Sequence, residues 1–274
     1  HIDPTRGKPY IVYLTGMPRT GTSYMKNYLG DFAGLSIQRF EPRGFYISWT
    51  RALNANSQVL VDKSTHYIRH LRKLERTCGS YAAYCIIVRD PRDQLTSLFD
   101  FDRHPELPRN RRFWHHWYKQ YQHALLFARN NPALRVLLIR YEDLVRYPVE
   151  VKQYFLTWIG FTIRVEDLTD SYSVAFRDDI QDDKVRERTS ASIESIGSYR
   201  RVYNKKQREI VEYYQSMPEV MALMDRFGYH ESGLSDRFGS VSDVNMFFPP
   251  TDERSSTSRG SNSDLTTYSS DKDH

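Results

Sequence analysis

This sequence of 274 residues lacks several features that define other classes of protein. It has only two cysteines, Cys78 and Cys85, which excludes a disulfide framework and a cysteine-rich metal site. No run approaches the roughly 20 apolar residues of a membrane-spanning helix, and neither a signal peptide nor an Asn-x-Ser/Thr sequon is present. No His, Cys and Asp residues are spaced like metal ligands. These absences favour a cytoplasmic protein that uses no metal.

The charge balance is mildly basic. Lysine and arginine number 39 against 34 aspartates and glutamates, a formal net charge of +5. This excess points weakly to an anionic ligand. The arginines are scattered and the aromatic residues follow core periodicity, which disfavours nucleic acid as a partner. With 39% hydrophobic residues the chain can bury a sizeable core. Nothing in the composition indicates an oligomeric state.

Strand-like and helix-like patterns alternate through most of the chain. Short apolar runs typical of buried parallel strands are YIVYLT (10–15), QVLV (58–61), AYCIIV (83–88) and RVLLI (135–139). Between them, Phe113, Trp117, Tyr121 and Leu125 recur every four residues and predict a helix. The alternation predicts an α/β fold of three layers, with a central parallel sheet flanked by helices.

Composition divides the chain into three regions. Residues 1–9 look like a cloning remnant or linker, so loss of an N-terminal anchor, with a Golgi-lumen location, is an alternative to the cytoplasm. Residues 10–230 are expected to form the folded domain. Residues 231–274 are rich in Ser, Thr and Asp and are expected to form a flexible tail.

The stretch LTGMPRTGTSY (14–24) resembles a phosphate-binding P-loop without its lysine. Gly16 and Gly21 have the G-x-x-x-x-G spacing, but Thr22 stands where that lysine would be, and Arg19 lies inside the loop. Backbone N–H groups at the following helix and the hydroxyls of Thr20, Thr22 and Ser23 can bind an anion. A triphosphate with magnesium fits poorly; a smaller dianion fits better. The alternative is an ordinary turn between a strand and a helix.

A second anion site is predicted in VRDPRDQLTSLF. Arg89 ends a buried strand and Ser97 lies eight positions later, about two turns into the next helix. An arginine fork and a hydroxyl can hold one phosphate from two sides. Arg92 and Asp93 are expected to be solvated charges on the first turn. Two phosphate sites at the ends of separate strands indicate a nucleotide with separated anionic groups.

Together, PRTGTS and VRDPRDQLTSLF resemble the cofactor motifs of sulfotransferases that use 3′-phosphoadenosine 5′-phosphosulfate (PAPS). The resemblance implies a P-loop-type fold and PAPS as cofactor. It also implies that Arg89 and Ser97 hold the 3′-phosphate. The residues implied to cradle the 5′-phosphosulfate are Arg19, Thr20, Gly21, Thr22, Ser23 and Tyr24.

Other segments extend this resemblance over roughly residues 10–230. Glu41 follows Arg19 by 22 positions, about the separation of the glutamate base in heparan-sulfate-type members. VDKSTHYI and RYEDLVRYPVEVKQYFLTWIGF are similar to two further family segments. IGSYRRVYN is similar to the late segment that closes over the cofactor. It implies roles in cofactor binding for Tyr199 and Arg200, with Arg201 as the alternative.

Four residues are candidates for the chemistry. Arg19 is suited to neutralising the leaving group electrostatically, because arginine does not donate a proton readily. Lys63 either contacts the leaving group or acceptor, or is an ordinary surface lysine. Glu41 is the expected base that removes the acceptor proton, and His66 is the competing base.

The acceptor is expected to be a small molecule or carbohydrate carrying a hydroxyl or amine. Two other functions stay open at this point. A nucleotide-dependent kinase with an altered P-loop would need ATP and magnesium. A non-catalytic nucleotide-binding protein would bind the same ligand without turnover.

Overall fold

The computed structural model describes residues 11–37, 59–100, 112–163, 168, 193–201, 212–213, 216–230 and 233–234. The main sheet consists of β1 (Ile11–Gly16), β2 (Leu35–Ile37), β3 (Val59–Lys63), β4 (Ala82–Val88) and β5 (Arg135–Arg140). The helices are α1 (Thr22–Tyr28), α2 (Leu71–Cys78), α3 (Pro91–Asp100), α4 (Arg112–Asn130), α5 (Tyr141–Arg146), α6 (Pro148–Trp158) and α7 (Pro218–Arg226). Short 3₁₀ turns are Tyr67–Arg69, Gly79–Tyr81, Ile193–Ser195 and Ser198–Arg201.

The strand order of the main sheet creates a crevice between β1 and β4. All five strands are parallel, in the order β2-β3-β1-β4-β5. The chain leaves β1 toward one edge of the sheet and leaves β4 toward the other. Loops that diverge in this way open a ligand crevice beyond the carboxyl ends of the two strands. Both predicted anion motifs follow these two strands.

The strands are apolar on both faces because helices cover both faces. Alternate residues of β1 enter different cores: Ile11 and Tyr13 pack with α2, α4 and α7, whereas Val12 and Leu14 pack with α1, α5 and α6. Cys85 on β4 is fully buried, as expected of a small apolar side chain. The predicted three-layer α/β fold is therefore confirmed.

The aromatic face of α4 contributes much of one core. Trp114, Trp117 and Tyr121 are almost completely buried, and Phe127 packs against Tyr84 of β4 with ring centroids 5.2 Å apart. Proline lies at the first turn of α6 and of α7, where its missing N–H has no helical partner to lose. Pro218 therefore begins α7.

The four predicted strands are all present, and β2 is an additional strand that the apolar runs did not indicate. In the tail region, β7 (Gly233–Leu234) pairs antiparallel with β6 (Tyr229–His230), and residues 235–274 lie outside the described part of the chain. Among the helices that the structure describes, none has the length and apolar character needed to cross a membrane.

Candidate functional site

The loop between β1 and α1 is a tight turn with two left-handed residues. Arg19 has a φ of 70° and Gly21 a φ of 90°. A non-glycine residue in this region is uncommon, and such strain concentrates at functional sites. The loop is closed from within, because the Thr20 hydroxyl donates to the Met17 carbonyl at 2.7 Å. The Thr20 side chain therefore serves the shape of the loop.

Both glycines of the loop are required by close approach. A Cβ on Gly16 would lie 2.5 Å from the carbonyl oxygen of Ile87 and 2.6 Å from the Thr20 hydroxyl. A Cβ on Gly21 would collide with the ring of Tyr141. The G-x-x-x-x-G pattern thus lets the loop lie against β4 and against the start of α5.

Side chains of α3 and α4 hold the loop in place through hydrogen bonds. The Tyr121 hydroxyl donates to the Ile87 carbonyl at 2.9 Å and accepts the Met17 N–H at 3.3 Å, joining the end of β4 to the start of the loop. The Gln94 side chain on α3 donates to the Pro18 carbonyl at 2.7 Å. The loop is therefore tied to the second anion motif as well as to α4.

The two predicted anion motifs are in direct contact. The Arg19 Nε donates to the Ser97 hydroxyl at 3.0 Å, and Arg89 donates from Nη1 to the Arg19 carbonyl at 3.0 Å. Arg19 and Ser97 are 78 positions apart in the chain. The structure thus brings an arginine from each motif and the serine to one point beyond β1 and β4.

Arg89 is buried and held in place by three segments. Besides its bond to the loop, its Nη2 donates to the Ser195 carbonyl at 3.1 Å, and its guanidinium lies 4.4 Å from the Tyr141 ring centre. The Tyr141 hydroxyl shares a 2.9 Å hydrogen bond with the Ser195 hydroxyl. Within the described residues the buried Nε of Arg89 has no hydrogen-bond partner. One donor of a fixed cation is thus left for an acceptor that the described residues do not supply.

Residues 195–201, which we call the closing segment, cover this site and carry Tyr199, Arg200 and Arg201. Tyr199 is half-buried, and the guanidinium of Arg92 lies 4.4 Å from its ring centre. Arg200 and Arg201 are exposed. The Arg200 Nε donates to the Tyr199 hydroxyl at 3.1 Å.

The expectation that Arg92 and Asp93 are solvated is wrong. Arg92 is 2% exposed and Asp93 is 1% exposed. Arg92 makes a buried ion pair with Asp90, whose carboxylate also accepts the Arg92 backbone N–H at 2.9 Å and so caps α3. Asp93 accepts hydrogen bonds from the closing segment instead of from water. The first turn of α3 is buried because that segment covers it.

A cavity of about 310 Å³ lies between α3, the start of α5 and the closing segment. Its walls include three acidic side chains, Asp90, Asp93 and Glu142, and three arginines, Arg92, Arg146 and Arg200. Glu142 accepts the Asp90 N–H at 3.0 Å and the Tyr229 hydroxyl at 2.8 Å. Burial, assisted by the nearby charge of Asp90, raises the pKa of Glu142 to about 7.

The remaining predicted residues are placed as follows. Thr22 is buried, whereas Ser23 and Tyr24 are half-buried on α1, with Tyr24 stacked 6.0 Å from Tyr28. Lys63 ends β3 and is half-buried beside Leu14 of β1, so it shares the sheet edge that carries the loop. His66 is exposed in the turn that follows, its backbone N–H donating to the Ser64 hydroxyl at 3.2 Å. Glu41 lies outside the described residues.

Sequence reasoning assigned no individual role to three residues of this site: Tyr141, Asp93 and Glu142. Their contacts reach segments far away in the chain, such as the 104 positions between Asp93 and Gly197. For Tyr141 and Glu142, the only local sign of a site in the sequence was the pair of acidic residues in RYEDL, directly after a buried strand. No group of His, Cys, Asp or Glu side chains within the described part of the chain has the arrangement of a metal site.

Comparison with known families and structures identifies similar proteins. A model of the sulfotransferase family matches residues 32–165, just under half of the chain. This stretch contains the Arg89–Ser97 motif, Lys63 and Tyr141 but begins after the β1–α1 loop. No curated protein matches the chain by sequence.

Solved structures share the fold at low sequence identity. The sulfotransferase domain of the olefin synthase from Synechococcus PCC 7002 is 18% identical with a TM-score of 0.53, over 78% of this chain and 98% of that domain. Mouse sulfotransferase SULT7A1, solved in complex with PAP, is 16% identical with a TM-score of 0.53, over 78% of this chain and 86% of that one. At such identities the likeness shows the fold alone.

Proposed function

We propose that this chain, a member of the sulfotransferase family, transfers a sulfuryl group from PAPS to a hydroxyl or amine of a small-molecule or carbohydrate acceptor. The contact between the two anion motifs carries this proposal. Arg19 reaches Ser97 at 3.0 Å and Arg89 reaches the Arg19 carbonyl at 3.0 Å, so the two motifs are adjacent and a single ligand bound there would contact both. A nucleotide with two separated anionic groups matches this pairing.

The residues present fit PAPS. Arg89 is a fixed, buried cation whose Nε has no partner in the described residues, and an arginine fork suits a phosphate. Gly16 and Gly21 let the loop pack closely against Ile87 and Tyr141, which sets its position beside Arg89. Arg89 and Ser97 would hold the 3′-phosphate, the loop around Arg19 the 5′-phosphosulfate, and the closing segment would cover the nucleotide. PAPS supplies the activated sulfuryl group.

Two side chains at the sheet edge, Arg19 and Lys63, are assigned the interactions with the reacting groups. Arg19 would stabilise negative charge on the leaving nucleotide, because preorganised cations act strongly in a partly buried site. Lys63, half-buried at the end of β3 on the same edge, would contact the leaving group or acceptor. Neither role requires a proton from arginine, which stays charged.

We assign the base to Glu41, with His66 as the rival. The assignment rests on the family resemblance, since Glu41 lies outside the described residues. Glu41→Gln should lower turnover by about 100-fold while cofactor affinity stays the same. His66→Ala is the matched comparison and should retain most of the activity. Near-normal turnover of Glu41→Gln together with a large loss in His66→Ala would move the role to His66.

The first test is a thermal-shift comparison of 3′-phosphoadenosine 5′-phosphate (PAP) with ATP and magnesium. A ligand at about 100 times its dissociation constant adds roughly 2.7 kcal/mol to stability, so specific binding is measurable. We expect stabilisation by PAP alone. Stabilisation by magnesium-ATP alone would favour the kinase function instead. Binding of PAP with no turnover of PAPS against any acceptor would favour a non-catalytic nucleotide-binding protein.

A further inference from the structure

One aspartate, Asp93, attaches the closing segment to α3. Asp93 lies on α3 one turn before Ser97, so both side chains lie on one face of that helix. Its Oδ2 accepts the Gly197 N–H at 2.7 Å. Its Oδ1 accepts the Tyr199 N–H at 2.9 Å and the Ser198 hydroxyl at 2.9 Å. Three consecutive residues of the closing segment thus converge on a single carboxylate.

The conformation of the closing segment suits this contact. Gly197 has a φ of 68°, a left-handed conformation that glycine adopts readily. The turn places the N–H groups of Gly197 and Tyr199 on the same side, where one carboxylate accepts both. Tyr199 in turn packs its ring against the guanidinium of Arg92. The segment therefore has a defined position relative to α3.

The carboxylate of Asp93 is almost fully buried, at 1% exposure. Burial and the neighbouring Asp90 raise its pKa, whereas Arg89 and the two backbone N–H groups lower it. If these hydrogen bonds were broken, the buried carboxylate and the N–H and O–H donors of the closing segment would all be left as unsatisfied polar groups. Asp93 and the closing segment therefore stabilise each other.

We propose that Asp93 is a positioning residue that fixes the closing segment over the nucleotide site. Through Gly197, Ser198 and Tyr199 it sets where Arg200 and Arg201 stand relative to Arg89 and Ser97. The proposal rests on the proposed function, because it assigns these arginines to the 3′-phosphate side of the nucleotide. Asp93 itself contacts no substrate; it acts through the closing segment.

The first experiment measures hydrogen exchange of the closing segment in the full chain without ligand. Asp93→Asn keeps the size of the side chain but turns an N–H₂ group toward at least one N–H donor. Exchange at the Gly197 and Tyr199 amides should become about 10-fold faster or more, since these two amides lose their charged acceptor. Ser198→Ala removes only the hydroxyl bond and should have a smaller effect. Thr77→Ala, an exposed threonine on α2, is the control that should change nothing.

The second experiment measures binding of PAP and of AMP, which lacks the 3′-phosphate, by calorimetry. Asp93→Asn should weaken PAP binding by about 10-fold or more, with a loss of less than about 3-fold for AMP. Ser198→Ala should show the same selectivity at smaller magnitude. A role in folding alone would lower the melting temperature without this difference between the two nucleotides.

The outcomes separate this inference from the proposed function. If the wild-type protein does not bind PAP, the proposed function fails, and the exchange experiment still reports on the attachment. If it binds PAP but Asp93→Asn binds PAP equally well, the positioning role is wrong. If Asp93→Asn does not fold, two other measurements test the proposal. Unprotected amides at Gly197 and Tyr199 in the wild-type protein would overturn it. Unchanged selectivity for PAP over AMP in Ser198→Ala would also overturn it.

Discussion

At the scale of single residues, Arg89 combines two tasks that a simple motif does not separate. It donates to the carbonyls of Arg19 and Ser195, so it holds the loop and the closing segment together. Its Nε remains available to an external acceptor, as judged from the described residues. The motif predicted the phosphate contact only; the positioning task follows from the fold.

We expect Arg89→Lys to weaken binding of PAP by about 10- to 100-fold and binding of AMP much less. Lysine keeps the charge but cannot supply the planar fork. Calorimetry with both nucleotides tests this, with Arg226→Lys on the exposed side of α7 as the control. Equal losses for PAP and AMP would assign Arg89 to positioning the loop and not to the 3′-phosphate.

Glu142 makes stability depend on pH in a direction opposite to most carboxylates. Its pKa is raised from an ordinary value of 4.5 to about 7, so the folded protein retains this proton after the unfolded chain has lost it. Stability from this group is therefore fully present below pH 4.5 and is lost as pH rises through about 7.

Glu142→Gln should remove this dependence. Glutamine resembles the protonated acid: its oxygen can accept the Asp90 N–H, and its amide can donate to the Tyr229 hydroxyl after that hydroxyl rotates. Relative to wild type, the variant should gain melting temperature between pH 5 and pH 8, by several degrees. Glu219→Gln, at an exposed position on α7, is the control. Parallel curves for wild type and Glu142→Gln would contradict the raised pKa.

The long-range partners explain what the sequence did not reveal at this scale. From the sequence, Asp93 looks like a surface charge because it lies beside other polar residues, and because the groups that donate hydrogen bonds to it lie more than 100 positions downstream. The placement of Arg89 after a strand and of Ser97 in the next helix was predictable because the strand that precedes them is apolar and their spacing matches a helix. A buried charge is visible in a sequence only through such local context.

At the scale of elements, the β1–α1 unit shows how backbone conformation shapes the site. Gly21 has a left-handed φ of 90° and leaves no room for a Cβ beside Tyr141. Gly79, before β4, also has a positive φ, of 51°, but has open space where a Cβ would lie. Substituting alanine at each of the two glycines therefore distinguishes the cost of backbone strain from the cost of a steric collision.

Gly21→Ala should lower the free energy of unfolding by clearly more than Gly79→Ala. Backbone strain costs roughly 1–3 kcal/mol at either position, since both backbones lie in sparsely populated regions, Gly21 with a ψ of 13° and Gly79 with a ψ of −134°. Only Gly21→Ala also displaces the Tyr141 ring. Chemical denaturation measures the difference, and PAP binding should fall only in Gly21→Ala. Equal destabilisation of the two variants would show that Tyr141 yields without cost.

Element prediction succeeded where a segment was long and uniformly apolar. β1, β3, β4 and β5 were recognisable because both of their faces are covered by helices. β2 was not, because Leu35–Ile37 has only three residues with a serine in the middle. Such a strand forms because β3 offers it a parallel partner, which is a tertiary effect.

At the scale of the whole molecule, the site depends on which strands are neighbours. The sequence indicated that each anion motif follows a strand, but not that β1 and β4 pair from Ile11 to Gly16. That pairing, with the chain leaving the two strands in opposite directions, places Arg19 next to Ser97. The convergence of the motifs is thus a property of the topology and not of either motif.

The β6–β7 pair reaches beyond residue 230, the predicted end of the folded domain. Pairing of β6 with β7 extends the folded part to Leu234, a few residues beyond the predicted boundary. Residues 235–274 have the Ser, Thr and Asp content of a chain that buries little apolar surface. Truncation after Leu234 should therefore leave both the melting temperature and PAP affinity unchanged.

A thermal melt of the truncated chain beside the full chain tests this boundary. A tail that contributed only 1 kcal/mol would shift the melting temperature by about 2–4 °C in a protein of this size, so even weak packing is detectable. A second truncation, after His230, removes β7 and should lower the melting temperature, since its partner β6 contains Tyr229, which donates to Glu142. Equal melting of all three chains would show that the β6–β7 pair contributes nothing, whereas a drop on the first truncation would place part of the tail in the folded domain.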